Sequence, residues 1–261
     1  MIQTKAVKAT AKATLKGKWL WACVVSIIPL FSFAANYLLE AVASVMIGDF
    51  AIIIGTLLNI FLSSVLVLGA LRVYWHGING YYSSVVNVFY YFSNINNYKK
   101  AISFVLRIVI PLFLNAVLLF LPTIILNWLS SGNFFELFNL PIPLFIGGLK
   151  YPAIFFAVIA AILVIYKFLN VFVSAFLFVS NENMNAKECI NTAIKISKKT
   201  KSMYVSHIFS FWFCILVSLF ALPLVFTLPY LIVSYLVDCR FCVSYYNRMG
   251  SMQNSAPVYS C

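Results

Sequence analysis

Long apolar runs alternate with short polar segments along this chain, and the polar segments carry most of the lysines. A helix that crosses a bilayer needs about 20 apolar residues, whereas a strand of a membrane barrel needs only about 10 with alternating polarity. Because the runs are long and do not alternate, the pattern predicts an all-α, polytopic transmembrane bundle of six helices. The predicted spans cover residues 19–46, 51–73, 101–129, 151–180, 203–222 and 224–246.

Three of the polar segments that precede a span place apolar or basic side chains three or four residues apart. Side chains at that spacing share one face of an α-helix. The stripes are Lys5, Lys8, Lys12 and Lys16 beside Ala6, Ala9 and Ala13 in residues 3–16; Val85, Phe89 and Phe92 in residues 83–97; and Ala186, Cys189, Ile190, Ala193 and Ile194 in residues 186–197. The spacing predicts three cytoplasmic amphipathic helices, lying on the membrane surface or on the bundle.

The sequence predicts one transmembrane domain followed by a polar tail, residues 1–250 and 251–261. Lys100 precedes Pro122 by the same distance at which Lys201 precedes Pro223. This match suggests three units, each an amphipathic helix with a two-span hairpin, over residues 1–75, 83–180 and 184–250. Internal repeats are common in transporters, but any membrane hairpin needs basic residues and a turn, so both interpretations stay open.

Lysine and arginine fall almost entirely on one side of the predicted spans, and the opposite side has only Lys150, with Asp49 and Glu136. The positive-inside rule therefore predicts that both termini lie in the cytoplasm. A cleavable signal peptide over residues 1–43 is the alternative. Its apolar region would have about 7–15 residues, and the run from Trp19 to Leu39 is longer, which favours an uncleaved span.

Composition supports a membrane protein, because 63% of the 261 residues are hydrophobic, 9% are charged and the mean hydropathy is +0.98. A soluble domain has about a quarter of its residues charged. The net charge is +12, but the chain has no long polar segment that would form a nucleic-acid-binding face. Attraction to anionic lipid headgroups explains the charge better. The candidate headgroup contacts are Lys5, Lys8, Lys12, Lys16, Lys99, Lys100, Lys198, Lys199 and Lys201.

No motif for catalysis, cofactor binding or metal binding is recognised in the sequence. His76 and His207 are the only histidines, and neither has a second ligand at a metal-binding spacing. Cys239 and Cys242 have redox or metal spacing, but no second cysteine pair accompanies them, so a structural role is expected. We predict a non-enzyme without cofactor and without a disulfide framework.

Ionisable residues inside the apolar runs are the strongest functional candidates. Each costs about 2.5–3.5 kcal/mol at the centre of an isolated span. Lys167, Asp238 and Arg107 form one hypothetical polar cluster that lines a cavity or gating path, and Glu40 lies near the end of the first run. The alternative is that the long basic side chains reach the headgroups from within the span.

Several short motifs resemble a family of uncharacterised membrane proteins of low-GC Gram-positive bacteria. They are the A-x-L-K-G-x-W start at Ala13–Trp19, the A-I-x-x-S-K motif at Ala193–Lys198, and the pairs Pro229-Tyr230 and Tyr245-Tyr246. Lys18 replaces the asparagine usual in that family, and the second span lacks its Gly-Pro start. The resemblance implies six spans in a bacterial plasma membrane and supplies no activity, substrate or catalytic residue.

Together these features favour a non-enzymatic accessory or scaffold protein of a membrane or envelope assembly. Its expected partners are a bilayer with anionic headgroups and either another membrane protein or a second copy of the chain. A small-solute or lipid transporter, or a channel-like carrier, is the alternative, with the intramembrane charges on its path. An intramembrane enzyme has the least support, because the chain contains only 6 carboxylates.

Overall fold

A computed structural model describes residues 2–81, 83–131, 146–181, 183–217 and 221–254. Every regular element in these ranges is helical, so the all-α prediction is confirmed for them. The α-helices are α1 Ile2–Leu15, α2 Trp19–Ile47, α3 Phe50–Leu58, α4 Ser64–Ile78, α5 Ile95–Ser130, α6 Lys150–Val171, α7 Ser174–Ser180, α8 Ala186–Ser210, α9 Trp212–Val217 and α10 Ala221–Asn254. A π-turn, Asn59–Ser63, joins α3 to α4, and 3₁₀ segments cover Val85–Phe92 and Ile146–Leu149.

Within the described ranges, five helical stretches are long and apolar enough to cross a membrane. They are Trp19–Ile47, Phe50–Ile78, Ile95–Ser130, Lys150–Ser180 and Leu224–Met249. Five of the six predicted runs therefore correspond to such a helix, although the second, third and sixth extend further than predicted. The apolar stretch at 140–148 lies largely outside the described residues.

The predicted span over residues 203–222 does not appear as one long apolar helix in the part of the chain that is described. The polar helix α8 continues through the first eight residues of this predicted span to Ser210, and Phe211 interrupts the helix before the six-residue α9. The interruption separates a lysine-rich helix from a short apolar one. The predicted span at 203–222 and the count of six spans therefore remain predictions.

The chain folds into two compact units. The first comprises Met1–Leu106 with Phe172–Cys261, and the second comprises Arg107–Val171. In the first unit α10 contacts α1, α2, α4, α7, α8 and α9, and α4 contacts α2, α7 and the first 3₁₀ segment. These two helices form the centre of that unit, which explains why most of α4 is buried.

Helix α1 packs on the first unit through Val7, Ala11 and Leu15, which are at most 1% exposed. It contacts α10 and α8 along this stripe. The apolar stripe expected from the sequence, Ala6, Ala9 and Ala13, is exposed instead. The larger valine and leucine side chains remove more apolar surface from water than alanine, so they determine which face is buried.

The segment after α4 is a 3₁₀ helix rather than an α-helix. With three residues per turn, Val88 and Tyr91 align on one buried face. Phe89 and Phe92, which the α-helical spacing placed on one apolar stripe with Val85, are exposed. The segment packs so closely on α4 that a Cβ atom at Gly69 would overlap the carbonyl group of Val88, with 2.8 Å to its carbon.

Helix α8 has one buried face and one basic face. Ala186, Cys189 and Ala193 lie on the buried face, which continues to Thr200 and Tyr204. This face contacts α7, α10 and α1. The α8 segment that sequence indicated as amphipathic is therefore packed into the first unit.

The second unit contains the apolar part of α5 and all of α6. Both helices leave large apolar side chains exposed, for example Phe113 at 65%, Leu118 at 68% and Ile154 at 63%. Such continuous apolar surface is incompatible with contact to water and is typical of helices that face lipid or another membrane helix.

Candidate functional site

Polar side chains form a stripe along α2 at intervals of four residues: Ser32, Asn36, Glu40 and Ser44. This spacing keeps them on one face of the helix. Gly55, Asn59 and Ser63 repeat at the same interval in α3 and the π-turn. Because α2 and α3 form an antiparallel hairpin, a stripe residue four positions earlier in α2 faces a stripe residue four positions later in the second helix.

The two stripes meet through direct hydrogen bonds. The hydroxyls of Ser32 and Ser63 are 2.8 Å apart. Asn36 Nδ2 donates to Asn59 Oδ1 at 3.1 Å and to Ser63 Oγ at 2.9 Å. We call this set, Ser32, Asn36, Asn59 and Ser63, the polar seam.

Burial makes the pairing within the polar seam energetically necessary. Asn36 is 3% exposed, Ser32 is 8% exposed and Ser63 is fully buried. An unpaired amide costs about 1–3 kcal/mol in a protein interior, and hydrogen bonds between membrane helices contribute about 0.6–2 kcal/mol each. The seam therefore fixes the register of the hairpin.

The π-turn Asn59–Ser63 lies in the middle of the second candidate span. The side chains of its first and last residues, Asn59 and Ser63, hydrogen-bond to α2, while the Phe61 carbonyl accepts a hydrogen bond from Tyr98 Oη at 3.1 Å. π-turns inside α-helices occur frequently at functional sites. This turn supplies two of the four members of the seam.

Besides the polar seam, α2 makes a polar contact with α4 through Tyr74, which is 1% exposed. Its hydroxyl donates to the Ala22 carbonyl at 2.5 Å. The Ser26 hydroxyl, 2.7 Å from the Tyr74 oxygen, donates a hydrogen bond to that oxygen. Polar contacts thus occur along most of the interface between α2 and its neighbour.

Glu40 continues the α2 stripe one turn beyond Asn36. Its carboxylate lies over Gly55 of α3, where an added Cβ atom would overlap it and would stand 2.9 Å from Glu40 Cδ. An open groove of about 260 Å³ adjoins this carboxylate and is lined by Tyr37, Glu40, Ala41, Ser44 and Ile52.

A further polar group lies between α8 and α10. The Thr200 hydroxyl donates to the Ile196 carbonyl at 2.9 Å and lies 2.7 Å from the Tyr204 hydroxyl. Tyr235 of α10 donates to the Phe172 carbonyl at 2.6 Å. Cys239 and Cys242 are fully buried beside them as free thiols. Their burial in the packed core is compatible with the structural role expected from the sequence.

The predicted intramembrane cluster is distributed over the two units. Asp238 belongs to the first unit and is 2% exposed, on the central helix α10. Arg107 and Lys167 belong to the second unit, and both are exposed. The proposed contact among the three remains a prediction.

The candidate headgroup lysines differ in exposure. Lys5, Lys12, Lys16, Lys99, Lys198 and Lys199 are exposed, whereas Lys8, Lys100 and Lys201 are half-buried. Lys8 turns inward, where Nζ donates to the Ser210 carbonyl at 2.9 Å and lies 4.8 Å from the Phe211 ring centre. It therefore binds the C-terminus of α8.

Aromatic rings contact several other cations of this chain. Arg72 stacks on Tyr90 at 3.5 Å, Arg240 lies 5.9 Å from Trp75 and Lys199 lies 5.5 Å from Tyr246. Such contacts stabilise by about 0.5–1 kcal/mol at exposed sites and more when desolvated. Because the chain has three times as many basic as acidic residues, there are too few carboxylates to pair with every basic side chain, and aromatic rings provide contacts for some of the others.

Across the described ranges, no group of three His, Cys, Asp or Glu residues is placed to hold a metal ion. The polar seam and the Glu40 groove were not predicted as sites. The sequence does contain a signal for them, the four-residue repeat of polar and small residues in two consecutive apolar runs, which is typical of closely packed membrane helices.

Comparisons with protein-family models, curated proteins and solved structures give no match.

Proposed function

We propose that this protein is a non-enzymatic scaffold of the bacterial plasma membrane, with both termini in the cytoplasm. In this proposal α1 and α8 present lysines to anionic headgroups or to a membrane partner. The observation that carries it is the two-faced α8. Thr200 and Tyr204 anchor one face in the core, while Lys195 and Lys198 are exposed on the other.

The attachment of α1 supports the same proposal. Val7, Ala11 and Leu15 hold this helix on α10 and α8, while Lys5 and Lys12 point away from the packed face. A basic side chain near an anionic surface gains about 1 kcal/mol. Lysines on two fixed helices require no ordering of the chain before they bind.

Native mass spectrometry of the purified protein tests this surface. We expect phosphatidylglycerol to be retained over phosphatidylcholine, and Lys195→Gln with Lys198→Gln to reduce that preference at least about fivefold, the value for about 1 kcal/mol. Lys150→Gln with Lys167→Gln changes the charge equally and is the matched control. Equal losses from the two double variants would contradict a lipid site on α8.

The proposed orientation has its own test. A membrane-impermeant maleimide should label Ser202→Cys, on the exposed face of α8, only after the cytoplasmic side is opened. Gly148→Cys, between α5 and α6, should be labelled in intact cells. The reverse labelling would overturn the orientation and leave the lipid measurement unaffected.

A carrier for a small solute or lipid is the second candidate, and the burial of Asp238 favours it. Affinity purification in mild detergent separates the two candidates. A stoichiometric partner supports the scaffold. A peak of this chain alone, together with matching growth defects from Lys167→Leu and Asp238→Asn, supports the carrier.

A further inference from the structure

Glu40 is the only charged residue of α2, and its position is unusual for a carboxylate. No lysine or arginine occurs between Lys18 and Arg72, so neither helix of the hairpin offers it a cation over this stretch. Glu40 is 22 residues beyond Lys18. At 1.5 Å per residue the helix carries it about 33 Å from the basic end, which is close to the thickness of a hydrocarbon core.

The fold provides space for this carboxylate. Gly55 lacks a side chain where the carboxylate lies, and an alanine there would require it to move. Asn36, one turn earlier on the same face, is held by Asn59 and Ser63, which fixes the hairpin register beneath Glu40. The carboxylate is therefore positioned by packing and opens into the groove.

The groove combines one negative charge, one aromatic ring and apolar walls. Tyr37 and Ser44 line it with Glu40, and Ala41 and Ile52 complete it. The surface around it is strongly apolar, with Leu38 at 65% and Val45 at 88% exposed. A carboxylate and a tyrosine ring together attract an ammonium group, while the exposed apolar side chains suit acyl chains.

We propose that this groove binds the primary ammonium group of an aminophospholipid headgroup, with Glu40 as its counter-ion. Phosphatidylethanolamine has the required chemistry, because its ammonium donates hydrogen bonds to a carboxylate and its acyl chains remain in the bilayer. Phosphatidylcholine has the same net charge but no N–H donor. The site uses none of the lysines of the proposed scaffold surface, so the two can fail independently.

Native mass spectrometry with defined lipids tests the proposal. Wild-type protein should retain phosphatidylethanolamine at least about tenfold over phosphatidylcholine, since a hydrogen bond to a charged group contributes about 1.5–3 kcal/mol and about 1.4 kcal/mol is tenfold. Glu40→Gln should abolish this preference, and Glu40→Asp should keep part of it. Asp49→Asn removes the neighbouring acid outside the groove and should leave the preference unchanged.

Three results would overturn the proposal: equal retention of both lipids by the wild type, an unchanged preference in Glu40→Gln, or the same loss in Asp49→Asn. Gly55→Ala provides a second variant, because it displaces the carboxylate without removing its charge, and it should also lower the preference. Displacement of the lipid by millimolar free ethanolamine would show an amine site without lipid specificity and would overturn the lipid assignment.

Discussion

The side-chain amide of Asn36 on α2 donates to the side-chain carbonyl of Asn59, 3.1 Å away, at the first residue of the π-turn. The same amide reaches Ser63 at the last residue of that turn. One asparagine therefore spans the whole irregular turn. This relationship explains how a mid-span departure from α-helical geometry is held in place by a neighbouring helix.

Replacing Asn36 with leucine should destabilise the first unit by about 1–3 kcal/mol, because the buried Ser63 hydroxyl and the half-buried Asn59 carbonyl lose their donor. Thermal unfolding in detergent measures the change. Asn115→Leu is the control, since Asn115 donates to the Pro111 carbonyl of its own helix at 2.6 Å. Equal destabilisation by the two variants would contradict the role of the seam.

Replacing Gly69 with alanine should loosen the 3₁₀ segment from α4. The new methyl group would overlap the Val88 carbonyl, and overpacking of this kind costs about 1–3 kcal/mol. We expect a lower unfolding temperature and faster hydrogen exchange over Val85–Phe92. Gly148→Ala, where a Cβ atom meets nothing within 4 Å, should change neither quantity.

Replacing Lys8 with methionine should release α1 from the end of α8. The variant keeps the length of the side chain but loses the hydrogen bond to the Ser210 carbonyl and the contact with Phe211. Trypsin should then cleave after Lys12 several times faster than in wild type. Lys5→Met removes an exposed lysine of the same helix and should leave that cleavage rate unchanged.

The Cys189 thiol should make stability depend on pH above neutrality. Burial raises its pKa to about 11, partly opposed by the positive charge of Lys100. Because this pKa is higher in the folded state than in the unfolded state, the thiol's contribution to stability is fully present below the unfolded pKa near 8.5. That contribution is lost as pH rises toward 11. Unfolding free energy should fall over this interval, and less steeply in Cys189→Ala. Parallel slopes would contradict the assignment.

The helical fold and most candidate spans follow from local sequence alone. An apolar run of 20 or more residues has to satisfy its backbone hydrogen bonds internally, whatever its neighbours are. The start of α2 at Trp19 is therefore predictable, because Gly17 and Lys18 end the polar segment before it. The same argument predicts α5 and α6 as two long apolar helices.

Tertiary structure determined which helix faces are buried and the register between the two helices of the hairpin. Periodicity could not distinguish the alanine stripe of α1 from the Val7, Ala11 and Leu15 stripe, since packing on α10 selects the bulkier side chains. It also could not show that residues 85–92 wind with three residues per turn against Gly69. The pairing of Asn36 with Asn59, and of Glu40 with Gly55, depends on two helices meeting. A contact between distant residues is set by how helices pack, and no single helix contains that information.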